Sequence, residues 1–308
     1  MKKGFTLVEL SIVLVILAVV THLAVREMTH VKNGKLHEAA QTQMNSIREA
    51  VCSIGANGKP GGFLADLGRL PVGTVSTNAL HQECVTLEEL WKKPEDAGTY
   101  GLRQAVASNL AVDESVKKEM EDGEVWIACG WRGPYLHVPF GNRNLTDPWG
   151  NRMENKDDAG YDRLFTFGTA PAKAGDPVVK VTHYGSDGRQ DSEVSPQKEE
   201  AKDFAVDFVA EDGFSNTLAV NLLFCDGDNP SPVTGDVVCK WYFPCGSSIT
   251  GGVEKISLAD SASKTFSIEG LPPCECMVTI GVGGKVRLRR YVVVPPGGCA
   301  HEMKIPVR

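Results

Sequence analysis

Residues 1–25 read Met1-Lys2-Lys3-Gly4-Phe5-Thr6-Leu7-Val8-Glu9-Leu10, followed by the almost wholly apolar run from Ser11 to Val25. From Phe5 to Val25 is about 21 residues, enough to cross a bilayer as a helix. Lys2 and Lys3 precede the run, which places the N-terminus in the cytoplasm and the rest of the chain outside. A cleaved secretory signal and a plain single-span anchor are the simpler readings. Against a signal, the stretch is long, no small-x-small cleavage site is evident, and Glu9 is foreign to such a region. That carboxylate needs a reason, because a charge at the centre of a membrane helix costs about 2.5–3.5 kcal/mol.

The residues Lys3-Gly4-Phe5-Thr6-Leu7-Val8-Glu9 resemble the processing site of type IV prepilins and pseudopilins. The resemblance implies cleavage after Gly4 by a prepilin peptidase and methylation of the new amine on Phe5. It also implies that Glu9 meets the amine of a neighbouring subunit. The physics agrees: glycine lets a protease approach the backbone, and an amine and a carboxylate held in lipid are cheaper as a pair than apart. The family often carries a glycine and a proline early in the mature helix. Ala18 and Arg26 stand at those places here.

The chain has 308 residues, 42% apolar and 23% charged, which suggests two domains beyond the first helix, each able to build a core. A net charge of -7 argues against nucleic acid or an anionic membrane surface as the main partner. Nine cysteines in a chain that is mostly exported point to disulfides, and no Cys-x-x-Cys spacing exists.

The helix is expected to continue to Ile54. Leu36, Ala39, Ala40, Met44, Ile47 and Val51 recur at spacings of three and four. From Phe5 it would span roughly 75 Å at 1.5 Å per residue. Gly34 is a weak point within it, and Gly55, Asn57-Gly58 and Pro60-Gly61-Gly62 end it. Beyond it, Leu87 to Trp91 and Leu102 to Met120 read as short helices, and Val125 to Ala128 as a strand.

Turn chemistry dominates the next segment: Asp147-Pro148-Trp149-Gly150-Asn151, and His183-Tyr184-Gly185-Ser186-Asp187-Gly188. Leu164 to Phe167 and Val178 to Tyr184 read as strands between and before these turns. This pattern resembles the major pseudopilin of the type II secretion system, over roughly residues 5–205, with an insertion between residues 63 and 130. The resemblance implies a calcium loop after the Gly-Ser-Asp-Gly element, with Asp187, Asp191 and Asp203 as carboxylate ligands. The competing reading is a metal-free acidic turn. Arg189 and the lack of a following glycine pair favour that reading.

About 100 further residues follow. Thr217–Phe224, Asp236–Phe243, Gly252–Leu258, Lys264–Ile268, Glu275–Val282, Lys285–Val294 and Glu302–Val307 read as strands separated by Gly/Pro/Asp turns, a β-sandwich pattern. Thr265-Phe266-Ser267-Ile268-Glu269-Gly270-Leu271-Pro272-Pro273 resembles the signature of carboxypeptidase-regulatory-like and related transthyretin-like modules. Six cysteines fall here: Cys225, Cys239, Cys245, Cys274, Cys276 and Cys299. With Cys52 and Cys84 they are the disulfide candidates, and their pairing is not readable from spacing. A soft-metal site built from these thiolates is the competing reading.

Seven dispersed histidines form no metal or catalytic spacing, and no phosphate loop or nucleophile elbow is present. The sequence is therefore read as a non-enzymatic α+β chain: a long N-terminal helix packed on a small antiparallel sheet, followed by an all-β sandwich. Expected boundaries are 1–4 for the leader, 5–54 for the helix (5–25 in the membrane), 55–205 for the body and 206–308 for the sandwich. The resemblance implies a filament subunit of a type IV pilus or a type II secretion pseudopilus. A low-copy minor subunit whose sandwich binds a surface, ligand or cargo is the alternative. The expected partners are other pilin or pseudopilin subunits, prepilin peptidase and an inner-membrane assembly platform.

Overall fold

The computed structural model describes residues 7–55, 57–77, 83–105, 125–138, 145, 147–149, 165–167, 177–183, 185–186, 202–208 and 216–307. Helix α1 (Leu7–Val51) runs unbroken through Gly34. It ends before the expected Ile54: Cys52 N–H still donates to Arg48 O (2.8 Å), then β1 (Ser53–Ile54) turns back to pair with β2 (Pro60–Gly61). Gly58, at φ +75°, supplies the left-handed backbone that this turn requires.

Helix α2 (Gly62–Leu67) follows, stopped by Gly68 in the αL conformation. Then come the hairpin β3 (Thr74–Thr77) and β4 (Glu83–Thr86), and a 3-10 turn at Glu88–Leu90 where a short helix is expected. The expected helix from Leu102 is corrected over its first residues. Gly101–Ala105 is a strand, β5, paired antiparallel with β6 (Val125–Cys129). Residues 106–120 lie outside the described residues. The competing signal is non-local: β5 takes its form from a partner strand some twenty residues further on. Strands β7 (Phe165–Phe167), β8 (Lys180–His183) and β9 (Phe204–Asp207) form an antiparallel sheet in sequential order.

One core joins these parts. Met44, Ile47 and Val51 of α1 pack with Phe63, Leu64 and Leu67 of α2, with Leu87 and Leu90, and with Val181, Val206 and Phe208. Because β9 and Phe208 belong to this core, the body extends past residue 205.

The sandwich comprises β10 (Asn216–Asp226), β11 (Asn229–Pro230), β12 (Val233–Cys245), β13 (Ser248–Ser261), β14 (Ser263–Leu271), β15 (Cys274–Val282), β16 (Lys285–Val294) and β17 (Cys299–Pro306). One sheet is ordered β13-β12-β15-β16, all antiparallel. In the other, β10 lies between β14, antiparallel, and β17, parallel. Alternation along β10 sends Leu218, Val220, Leu222 and Phe224 inward, against Val237, Val278, Ile280, Met303 and Ile305. All seven expected strands are present, most of them longer by up to a few residues; β16 matches as expected, and β17 starts earlier but ends at Pro306 rather than Val307.

Candidate functional site

The N-terminal half of α1 leaves the body. Every residue from Leu7 to Lys32 is exposed, and the buried residues of α1 are Ala40, Met44, Ile47, Ala50 and Val51. An 18-residue window of this helix has a mean hydropathy of 2.5. Its hydroxyls are satisfied inside the helix: Ser11 Oγ donates to Val8 O (2.8 Å), Thr21 Oγ1 to Leu17 O (2.7 Å) and Thr29 Oγ1 to Val25 O (2.8 Å). Such internal bonding is what a lipid or helix-packed environment demands of polar groups. Between Leu7 and Val25, Glu9 is the sole acidic residue and His22 the sole other titratable group. Gly4 and Phe5 lie outside the described residues.

At the other end, the two turn motifs meet. Asp147 and His183 are both fully buried at the side chain, with Nε2 of the histidine 3.3 Å from Oδ2. Gly185 N–H donates to His183 Nδ1 (3.0 Å), which leaves the ring proton on Nε2, facing the carboxylate. The imidazole stacks on Phe204 (4.7 Å, 14°), Trp149 lies tilted to it (5.5 Å), and Phe204 meets His37 of α1 edge-on (5.4 Å). Asp147 and Trp149 from one turn and His183 from the other therefore form one plug with Phe204 beneath the helix. Of the expected calcium ligands, Asp187 and Asp191 lie outside the described residues, and Asp203 immediately precedes β9. Among the described residues no three metal-ligating side chains come together.

Two ion networks were not legible in the sequence. Arg69 forms a bidentate pair with Glu89 (both 2.9 Å) and reaches Asp96 (3.1 Å). Glu89 also accepts from Val72 N–H (2.8 Å), and its carbonyl accepts from Trp131 Nε1 (3.1 Å). In the second network, buried Asp66 accepts from Arg132 Nε (3.0 Å) and Tyr135 Oη (2.9 Å) on one oxygen, while Arg132 lies over the Tyr100 ring (5.0 Å).

Burial pushes the Asp66 carboxyl above the usual carboxylate range, against the opposing pull of Arg132 and the Tyr135 hydroxyl. A carboxyl raised in the fold disfavours the folded state once it is ionised. That penalty is absent below the unfolded value of about 3.9 and is felt as pH rises through the folded one. Asp66→Asn retains an acceptor and is expected to be as stable as the parent, or more so, at pH 7. The advantage should shrink to nothing near pH 4. Thermal unfolding across that range checks it, and an advantage that grows on acidification would sink the assignment.

The sandwich is seated on the body. Gly246 N–H donates to Leu67 O (2.6 Å), Tyr291 Oη to Trp126 O (2.5 Å), and Lys59 pairs with Glu275 (2.5 Å). A small apolar cluster straddles the seam: Ile127 and Cys129 of β6 against Tyr242, Ile249 and Met277. These last three sit on the face of the β12–β15 sheet that points away from the sandwich core.

The expected sandwich disulfides are not formed in this structure. Cys225, Cys239, Cys245, Cys274, Cys276 and Cys299 all carry unbridged thiols, as does Cys129. Geometry gives a reason for two of them: Cys274 and Cys276 alternate with Glu275 on one strand, about 6.6 Å apart, at the far limit for bridging. Burial pushes the Cys276 thiol up to about 12 and holds the Cys274 thiol well above the ordinary range. Cys52 is buried at the end of α1, and the side chain of Cys84 lies outside the described residues.

Residues 1–25 match the family model described as the prokaryotic N-terminal methylation motif. Neither the curated proteins nor the solved structures give a match. The chain thus carries a prepilin-type N-terminal methylation motif, followed by a long apolar helix and sheet-rich domains. Proteins defined by this motif are structural rather than enzymatic.

Proposed function

We propose that the chain is a filament subunit of a type IV pilus or type II secretion pseudopilus. In this reading prepilin peptidase cuts after Gly4 and methylates Phe5, and the subunit waits in the inner membrane with its body on the outer side. It is then drawn into a fibre by an assembly platform. The observation that carries the reading is the methylation motif joined to a helix half, Leu7 to Val25, that is buried by none of the described residues of its own chain. A stretch so apolar needs lipid before assembly and the helices of other subunits after it. Glu9 then sets register by meeting the Phe5 amine of a neighbour.

The test separates processing from assembly. Mass spectrometry of the membrane fraction should give an N-terminal peptide beginning at N-methylated Phe5. Glu9→Ala should keep that cleavage yet lower incorporation into sheared filaments at least tenfold. Unchanged incorporation would remove the register role, and a retained Met1–Gly4 leader in filaments would remove the processing role.

A second reading places one or few copies at the fibre tip, with the sandwich contacting a surface, a ligand or secreted cargo. It is favoured by the size of the seated sandwich, which a repeating shaft subunit must accommodate at every step. Counting subunits per purified filament decides between the two: thousands of copies exclude the tip.

A further inference from the structure

The seam between body and sandwich brings together two cysteines from distant parts of the chain. Cys129 ends β6, and the next residue, Gly130, donates its N–H to Asp66 O (3.0 Å). Cys245 ends β12, and the next residue, Gly246, donates its N–H to Leu67 O (2.6 Å). Both strands are therefore tied, one residue past each cysteine, to consecutive carbonyls of α2. Cys129 also packs with Tyr242 and with Ile249, the register partner of Pro244, so residues on either side of Cys245 already touch its cluster.

We infer that Cys129 and Cys245 close into a disulfide that clamps the sandwich to the body. Cys245 is exposed and Cys129 buried, which sets the order of events. The Cys245 thiolate attacks the disulfide of a thiol–disulfide oxidoreductase, forming a mixed disulfide and releasing one oxidoreductase thiolate. The Cys129 thiolate then attacks Cys245 Sγ and displaces the second. The pair loses two electrons and two protons, and the oxidoreductase disulfide becomes a dithiol. Burial pushes the Cys129 thiol up against the pull of Arg103, with Cys245 close enough to add to the rise, which suits a thiol that resolves rather than attacks first. The remaining sandwich thiols that face the core stay reduced.

This inference rests on the body lying outside the cytoplasm, and the experiment separates the two. Detergent-solubilised full chain is incubated with a purified disulfide-form oxidoreductase, denatured in alkylating reagent without reductant, and mapped by mass spectrometry. The same trapping is done on intact cells. The expected result in both is one cross-linked peptide pair containing Cys129 and Cys245. It should vanish in Cys245→Ser, with Cys129 then alkylated, and in Cys129→Ser. A linkage found with purified protein and absent in cells would overturn the compartment and spare the clamp. Free Cys129 and Cys245 in the purified protein, or Cys245 linked to Cys274, would overturn the clamp.

Discussion

Gly68→Ala is expected to unseat the sandwich from the body. Gly68 sits at φ +63°, where a side chain costs about 1–2 kcal/mol. Space adds the larger part. A Cβ there would overlap the backbone oxygen of Pro244 and approach Cys245 N at 3.4 Å. Backbone cannot rotate aside as a side chain can, so the turn between β12 and β13 must move. The Gly246 to Leu67 hydrogen bond goes with it, and the cluster of Cys129, Tyr242, Ile249 and Met277 opens to water. The total should be on the order of 4 kcal/mol or more. Gly246→Ala is the control: its φ is +62°, yet nothing lies within 4 Å of an added Cβ. It should carry the backbone penalty alone. Calorimetry should show a single transition in the parent and two in Gly68→Ala. Matching unfolding in both variants would mean that the close approach to Pro244 does not hold the seam.

Arg69→Ala is expected to cost about 3–5 kcal/mol, the range for removing one partner of a buried pair. Glu89 is 6% exposed and would be left with a single backbone donor, Val72 N–H, for its carboxylate. Asp96, largely exposed, adds little to this sum. The guanidinium also lies over Phe63 of the core, at 5.3 Å, so packing is lost with the charge. Adding Glu89→Gln to Arg69→Ala should recover part of the loss, because the stranded charge goes. Chemical denaturation of the single and double variants measures both. A double variant no more stable than Arg69→Ala alone would show that packing, rather than the orphaned carboxylate, carries the effect.

The sequence was most legible where one period governs a long stretch. The apolar run that opens the chain made α1 evident, and strand-like runs between Gly/Pro/Asp turns located every long sandwich strand. Gly283-Gly284 and Pro295-Pro296-Gly297-Gly298 marked its turns, and all four glycines adopt positive φ. Where a strand is short and a partner far off, the local pattern misled. Leu102 is exposed in β5, so no burial alternation distinguished it from a helix face. The seam was invisible for the same reason. Nothing near Gly68 announces Pro244, and nothing near Arg69 announces Glu89. The Asp147 and His183 motifs were read as separate turns, and only folding stacks them into one plug against His37.

The parallel pairing of β17 with β10 has a consequence in time. Leu218 lies opposite Cys299 and Cys225 opposite Pro306, so the first strand of the sandwich waits for the last before its sheet is complete. Among the described residues the body core takes none beyond Phe208, so it can close while the rest is still being synthesised or exported. Met303 and Ile305 arrive at the end and fill the remaining space between the sheets. Until then β10 offers an open strand edge beside an unfilled part of the core, the type of surface that holdase chaperones bind and that mispairs between nascent chains.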